Sequence, residues 1–138
     1  MSSPKFEVII EKGDGRFFAR IEKGKALLTG YGGTVDKALK NLLAEIEGYK
    51  NNEGKGDKAF SKVDPKNIQF IPVYDVEAFF NEHTAIKQSA IAEKAGINAS
   101  LIRQYAAGVK YPSAEQAKKI EAAVHAIAKE LQQVSIYA

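Results

Sequence analysis

The sequence predicts an α+β fold: a small antiparallel sheet with one packed helix, in the order βββαβ, followed by an all-α helix-turn-helix domain. Two observations carry this prediction. Residues 5–31 form three short runs rich in β-forming side chains, separated by glycine-containing turns, as antiparallel strands are. From residue 75 onward apolar residues recur mainly at intervals of three and four, which is the spacing of amphipathic helices.

The first part of the chain is predicted to form three strands and one helix. The strands are 5–11 (KFEVIIE), 16–22 (RFFARIE) and 26–31 (ALLTGY), and KGDG at 12–15 is a hairpin turn signal. Thr34 is a helix N-cap. The helix after it carries an apolar face of Val35, Ala38, Leu39, Leu42, Leu43 and Ile46, and Gly48 is its predicted end. The glycines at 30–33 are best explained by a tight turn from strand to helix.

A polar stretch then separates two predicted domains. Residues 50–67 contain two glycines and a proline and are expected to form a flexible loop. Residues 68–73 (IQFIPV) are predicted to form a fourth strand, in which Pro72 indicates either an edge strand or the end of the strand, because it lacks a backbone donor. A helix is predicted over 75–82. The domains are therefore 1–74, an α+β domain, and 75–138, a helix-turn-helix domain with a long C-terminal helix.

The segment 86–120 has the spacing of a helix-turn-helix. The spacing predicts one helical face with four apolar or small side chains: Ile86, Ile91, Ala92 and Ala95. Gly96 lies where the first helix must end and reverse, and Asn98 is a good N-cap for the second helix. Ile102 and Tyr105 turn that helix's apolar face inward. The residues predicted to contact DNA are Gln88, Asn98, Ala99, Ser100, Arg103, Gln104 and Lys110.

This segment resembles the Cro/repressor type of helix-turn-helix domain without a gap. The matching residues are Ala92, Gly96, Ile97, Ile102, Gly108, Pro112, Ser113 and Ile120. The resemblance implies sequence-specific binding to double-stranded operator DNA. Arg103 is expected to read a base, whereas Lys110 and Gln88 are expected to contact phosphate.

Charge and apolar pattern both suggest a homo-oligomer, either a dimer or a tetramer. The chain carries a net charge of +3, yet residues 67–138 hold seven basic and seven acidic residues. A single subunit should therefore bind DNA weakly, with phosphate contacts limited to Lys87, Lys94, Arg103 and Lys110. After the capping box at 113–116, the last helix has an apolar stripe of Ala117, Ile120, Val124, Ile127, Leu131 and Val134. Its second half packs either on the chain's own N-terminal domain or on a second subunit.

The N-terminal domain resembles the HicB-like fold, a truncated RNase H-type sheet, over residues 6–11, 14–21 and 30–46. The resemblance implies an antitoxin of a type II toxin-antitoxin pair. Such a protein binds and blocks a small HicA-like ribonuclease toxin and represses its own operon. The alternative is a stand-alone helix-turn-helix regulator whose N-terminal domain mediates oligomerisation or senses a ligand. A protein-interaction adaptor whose helix-turn-helix does not bind DNA is a third possibility.

Other classes of protein are disfavoured. The chain has no cysteine and two histidines, His83 and His125, without the spacing of shared metal ligands. Phosphate-loop, dinucleotide-binding and serine-nucleophile fingerprints are absent. We therefore expect no enzyme activity, no catalytic residues, no metal and no cofactor. The absence of a long apolar run or a signal-peptide pattern leads us to expect a cytoplasmic protein that does not contact membranes.

Overall fold

The computed structural model describes residues 3–138, which form a mixed α/β structure with four strands, five helices and one short 3₁₀ turn. In chain order the elements are β1 (Lys5–Gly13), β2 (Arg16–Lys23), β3 (Ala26–Gly32), α1 (Val35–Asn51), the 3₁₀ turn (Pro65–Asn67), β4 (Gln69–Tyr74), α2 (Val76–Glu82), α3 (Gln88–Ala95), α4 (Ala99–Ala106) and α5 (Ala114–Gln132). The chain divides into two compact units, and the boundary lies between Ala78 and Phe79, inside α2. They are called the N-terminal and C-terminal units below.

The sheet of the N-terminal unit has the strand order β3-β2-β1-β4. β1 and β2 are antiparallel, with Ile9 opposite Arg20, and β2 and β3 are antiparallel, with Phe18 opposite Tyr31. β4 is parallel to β1, so the prediction of a wholly antiparallel sheet is wrong for this strand. The long connection through α1 lets β4 enter beside β1 in the same direction, which a tight hairpin cannot do. The prediction from Pro72 of an edge strand is confirmed.

One face of the sheet is covered by α1. The apolar core lies between them and includes Val8, Ile10, Ala19, Ile21, Ala38, Leu42 and Ile46, each at most 2% exposed. Gly30 makes this packing possible, because a Cβ there would lie 2.2 Å from the backbone nitrogen of Leu42. The glycine that the sequence suggested for a turn thus serves a close approach of helix to strand. The predicted cap is confirmed, since the Thr34 hydroxyl accepts from the Lys37 backbone N–H at 3.1 Å.

The helix α1 continues past Gly48 to Asn51, so the predicted end at Gly48 is wrong. Gly48 faces open space, where a single glycine costs the helix only about 1 kcal/mol. The extra turn carries Tyr49 to the segment that follows, where its ring meets the ring of Phe60 edge-on at 5.1 Å. Phe60 is fully buried and Val63 nearly so, so the predicted loop contributes to the core of the N-terminal unit.

Asp57 fastens this segment to the sheet. The residue is 9% exposed, and its carboxylate accepts hydrogen bonds from the Tyr49 hydroxyl at 2.7 Å and the Lys25 backbone N–H at 3.1 Å. The backbone N–H of Ala59 donates a third at 3.0 Å. The Tyr49 hydroxyl is the main reason that the pKa of Asp57 is lowered, and the same bond raises the pKa of Tyr49.

The C-terminal unit is helical. Helix α3 packs against both α4 and α5. The most buried apolar side chains of the C-terminal unit are Phe80, Ile91, Ala92, Ile97, Ile102, Tyr105, Ile120 and Ala123. Ile86 lies before α3, in a turn, so it does not share a helical face with Ile91 as predicted.

Only part of the predicted stripe on α5 is buried. Ile120 is 3% exposed, whereas Leu131 is 64% exposed. The helix ends at Gln132, so Val134 lies beyond it rather than on the stripe. β-Branched Val134 and Ile136 with Ser135 between them are poor helix formers, which explains the earlier end. Val134, Ile136 and Tyr137 are all largely exposed.

Candidate nucleic-acid interface

A left-handed glycine sets the angle at which α4 leaves α3. Gly96 has φ 69° and ψ 32°, and its backbone N–H donates to the last turn of α3. The N–H of Ile97 donates to the Ala92 carbonyl at 3.0 Å, and the Ile97 side chain is 7% exposed. The turn is therefore closed by backbone bonds and held by a buried apolar side chain, as a Schellman-type end is. The predicted helix end at Gly96 is confirmed.

Helix α4 has one buried and one exposed face. Ile102, Tyr105 and Ala106 point inward. The exposed positions of the opposite side are Ala99, Ser100 and Arg103, followed by Ala107 at the C-cap. Within residues 3–138 the Arg103 guanidinium has no carboxylate partner, so its donors remain available. An exposed arginine beside small side chains suits close approach to base edges, because arginine can donate two bonds to guanine.

Two of the predicted contact residues are partly committed to the helix itself. The Asn98 side-chain oxygen accepts from the Ser100 backbone N–H at 2.8 Å, which confirms the predicted N-cap. Its amide N–H groups stay exposed. Gln104 is half-buried, and its amide donates to the Ser100 carbonyl at 3.4 Å. Gln104 therefore offers less to a ligand than the sequence pattern alone indicates.

The remaining predicted residues flank α4. Gln88 is the first residue of α3 and is half-buried. Lys110 is exposed in the loop after α4, where its backbone N–H donates to the Gln104 carbonyl at 3.3 Å. Its neighbours Val109 and Tyr111 are 69% and 77% exposed. Val109 and Tyr111 are not among the residues predicted to contact DNA. The signal that could have identified them is the presence of two large apolar residues in the short loop between Gly108 and Pro112.

The positive charge near α4 is smaller than the sequence suggested. The Lys94 ammonium forms an ion pair with Glu130 and so joins α3 to α5. Lys87, Arg103 and Lys110 are exposed and, among the described residues, none of the three forms an ion pair. Since phosphate affinity grows with the number of phosphates neutralised, one C-terminal unit supplies few such contacts.

The N-terminal unit exposes a partly apolar face on the side of the sheet away from α1. Leu27 and Tyr31 on β3 are 64% and 55% exposed, and Ile71 and Val73 on β4 are 44% and 40% exposed. Between them, Arg20 donates to Glu11 at 2.9 Å. The exposed apolar side chains therefore lie in two pairs, one on each edge strand, with charged side chains between them.

The titratable groups form no metal centre in the described part of the chain, where no group of three or more His, Asp or Glu residues comes together. Asp75 caps α2 by accepting from the Ala78 backbone N–H at 2.7 Å. Burial raises the pKa of Asp75 and, next to it, that of Glu77. Among the described helices, none combines the length and the apolar character of a membrane-spanning segment.

No protein-family model, curated protein or solved structure matches this chain.

Proposed function

We propose that the C-terminal unit binds double-stranded DNA in a sequence-specific manner, with α3 and α4 acting as a Cro-type helix-turn-helix and α4 as the recognition helix. One observation carries the proposal. The unpaired Arg103 and the small side chains Ala99 and Ser100 share the exposed face of a helix whose start is capped by Asn98. Small side chains let the helix approach the groove closely, and Arg103 supplies base discrimination. Lys110 and Gln88 are assigned to phosphates beside that groove.

Substitution of Arg103 tests the proposal. A binding duplex is first selected from a random-sequence pool with the full chain. Arg103→Ala should then weaken binding to it by about 1–3 kcal/mol and relax the preference at one base pair. The matched control is Lys118→Ala, which removes an exposed cation from α5 and should leave the preference unchanged. An Arg103→Ala variant with the same selected sequence and affinity would refute the assignment of α4.

Within this function, the chain acts as a HicB-like antitoxin that blocks a HicA-like ribonuclease toxin and represses its own operon. Two features support this more specific proposal: the elements follow the order βββαβ that the resemblance implies, although β4 is parallel, and the outer face of the sheet carries exposed Leu27, Tyr31, Ile71 and Val73. A toxin bound there would cover these side chains.

Co-purification with the product of the adjacent gene tests the antitoxin proposal. A Leu27→Asp and Tyr31→Asp double variant should lose the neighbouring protein and its protective effect in cells, while keeping DNA binding. The control is Lys37→Asp and Lys40→Asp on the exposed side of α1. If the neighbouring protein is neither bound nor toxic, the antitoxin proposal fails.

The second candidate is a stand-alone DNA-binding regulator whose N-terminal unit mediates assembly or senses a ligand. Exposed apolar residues at the end of α5 and after it favour self-association in either case: Leu131, Val134, Ile136 and Tyr137. A symmetric dimer would place two recognition helices on half-sites about 34–36 Å apart or a multiple of that distance. The presence of a toxic neighbouring gene product separates the two candidates.

A further inference from the structure

Exposed lysines gather at one end of the N-terminal unit, where the turn between β2 and β3 meets the turns that follow α1. The members, called the lysine patch below, are Lys23, Lys25, Lys55, Lys58 and Lys62. They come from two segments separated by the whole of β3 and α1. Neither segment has the dense run of charge that identifies a basic motif in a sequence.

Specific contacts bring the two segments together. The Lys25 backbone N–H donates to the Asp57 carboxylate at 3.1 Å. The neighbouring glycine, Gly24, approaches so closely that a Cβ there would lie 2.8 Å from the Ala59 Cβ. The Lys23 ammonium lies 4.5 Å from the centroid of the Phe6 ring, which itself meets the ring of buried Phe60 at 5.9 Å. The two segments therefore form a single surface, which lies over the buried rings of Phe6 and Phe60.

Positive charge exceeds negative charge at the lysine patch. The Asp57 carboxylate lies beneath it and is buried, and Glu53 and Asp64 are exposed acids of the segment after α1. Glu22 lies opposite Leu27 on the outer face of the sheet. Among residues 3–138 no lysine of the patch forms an ion pair with a carboxylate. The surface therefore presents an excess of ammonium groups, which suits a polyanion.

We propose that the lysine patch binds the phosphate backbone of double-stranded DNA; this inference rests on the proposed function. Residues 67–138 are neutral overall, with seven basic and seven acidic residues, so phosphate contacts from elsewhere would raise affinity. The aromatic rings under the patch do not offer the stacking platform that unpaired bases require, because Phe60 is fully buried and the Tyr49 ring packs edge-on against it. A duplex is therefore favoured over a single strand.

The salt dependence of DNA binding by the full chain tests this inference. Fluorescence anisotropy is measured with the selected duplex, with an unrelated duplex of equal length and with a single-stranded RNA of the same length. The variant replaces Lys25, Lys58 and Lys62 by Gln. It should reduce the slope of log affinity against log salt by about two to three units per protomer. It should weaken both duplexes by the same factor, about tenfold or more at 0.1 M salt.

The matched control replaces Arg16, Lys37 and Lys40 by Gln, which removes the same charge from exposed positions on β2 and α1. Equal loss in both variants would show a general charge effect and overturn the inference. An unchanged slope with sequence preference intact would overturn the patch while leaving the proposed function standing. Salt-dependent duplex binding that needs the patch but shows no sequence preference would support the patch and overturn the proposed sequence-specific function. Tighter patch-dependent binding to the RNA would overturn the assignment to duplex DNA.

Discussion

Truncation of Phe60 should destabilise the N-terminal unit strongly, although the residue lies in a stretch that reads as a polar loop. Its side chain is 0% exposed and meets the rings of Phe6 and Tyr49 edge-on at 5.9 and 5.1 Å. Replacing a buried phenylalanine by alanine costs about 3–5 kcal/mol, as lost transfer free energy plus a cavity. The upper half of that range applies here, because both edge-to-face ring contacts are lost as well.

Hydrogen exchange of the full chain, followed by NMR, measures this cost separately in each unit. In Phe60→Ala the most protected amides of β1, β2 and α1 should exchange about a thousandfold faster, the equivalent of roughly 4 kcal/mol. Amides of α3 and α5 should keep their rates, since these helices belong to the other unit. Phe60→Leu, which keeps most of the apolar volume, provides a milder variant in case the N-terminal unit of Phe60→Ala unfolds altogether.

The control is Tyr111→Ala, an aromatic truncation at a residue that is 77% exposed, which should change exchange in neither unit by more than about threefold. The reasoning fails if Phe60→Ala and Tyr111→Ala have equally small effects. Such a result would mean that residues 52–64 do not belong to the core. The packing of Phe60 would then no longer hold the two segments of the lysine patch together.

Three further results are expected. Hydrogen bonds hold the pKa of Asp57 below the ordinary value of 3.8. Asp57 therefore stabilises the fold fully above that pH, and this stabilisation is lost as the pH falls through the pKa of the folded state. In Asp57→Asn the free energy of unfolding of the N-terminal unit should depend less steeply on pH in the acid range. Gly96→Ala should cost the C-terminal unit about 1 kcal/mol in thermal unfolding, because alanine is strained at a positive φ, whereas Gly33→Ala, which also faces open space, should cost less. Leu131→Asp should abolish self-association in analytical ultracentrifugation, and a monomeric unmutated chain at micromolar concentration would contradict the assembly proposal.

Features encoded by neighbouring residues could be predicted from the sequence. β1, β2 and β3 extend only a residue or two beyond their predicted ends, because their alternation and turn glycines are local signals. The caps at Thr34, Asn98 and Ser113 were predicted for the same reason, since each side chain accepts from a backbone N–H two or three residues ahead. An edge position for β4 followed from the missing donor of Pro72.

Features decided by distant contacts could not be predicted. The direction of β4 depends on the path of the chain through α1, because alternation in a strand is the same whether its neighbour is parallel or antiparallel. Asp57 resembles any acidic loop residue in the sequence, and its burial depends on Tyr49 and on the turn at Lys25, both remote along the chain. Gly30 looked like part of a turn, because its role depends on how closely α1 approaches β3.

The same division applies to the candidate site and sharpens the assignment of Arg103. A helical period places Ser100, Arg103 and Gln104 near one another, but it gives no information about which of their polar groups are already used. Gln104 donates back to the Ser100 carbonyl and Lys94 is paired with Glu130, so both have less to offer DNA than their positions suggest. The Arg103 guanidinium forms no ion pair within the described structure, so its N–H donors stay available. If α4 reads a duplex, most of the discrimination must therefore come from this one side chain, and specificity should be lost with it rather than decline gradually across the helix.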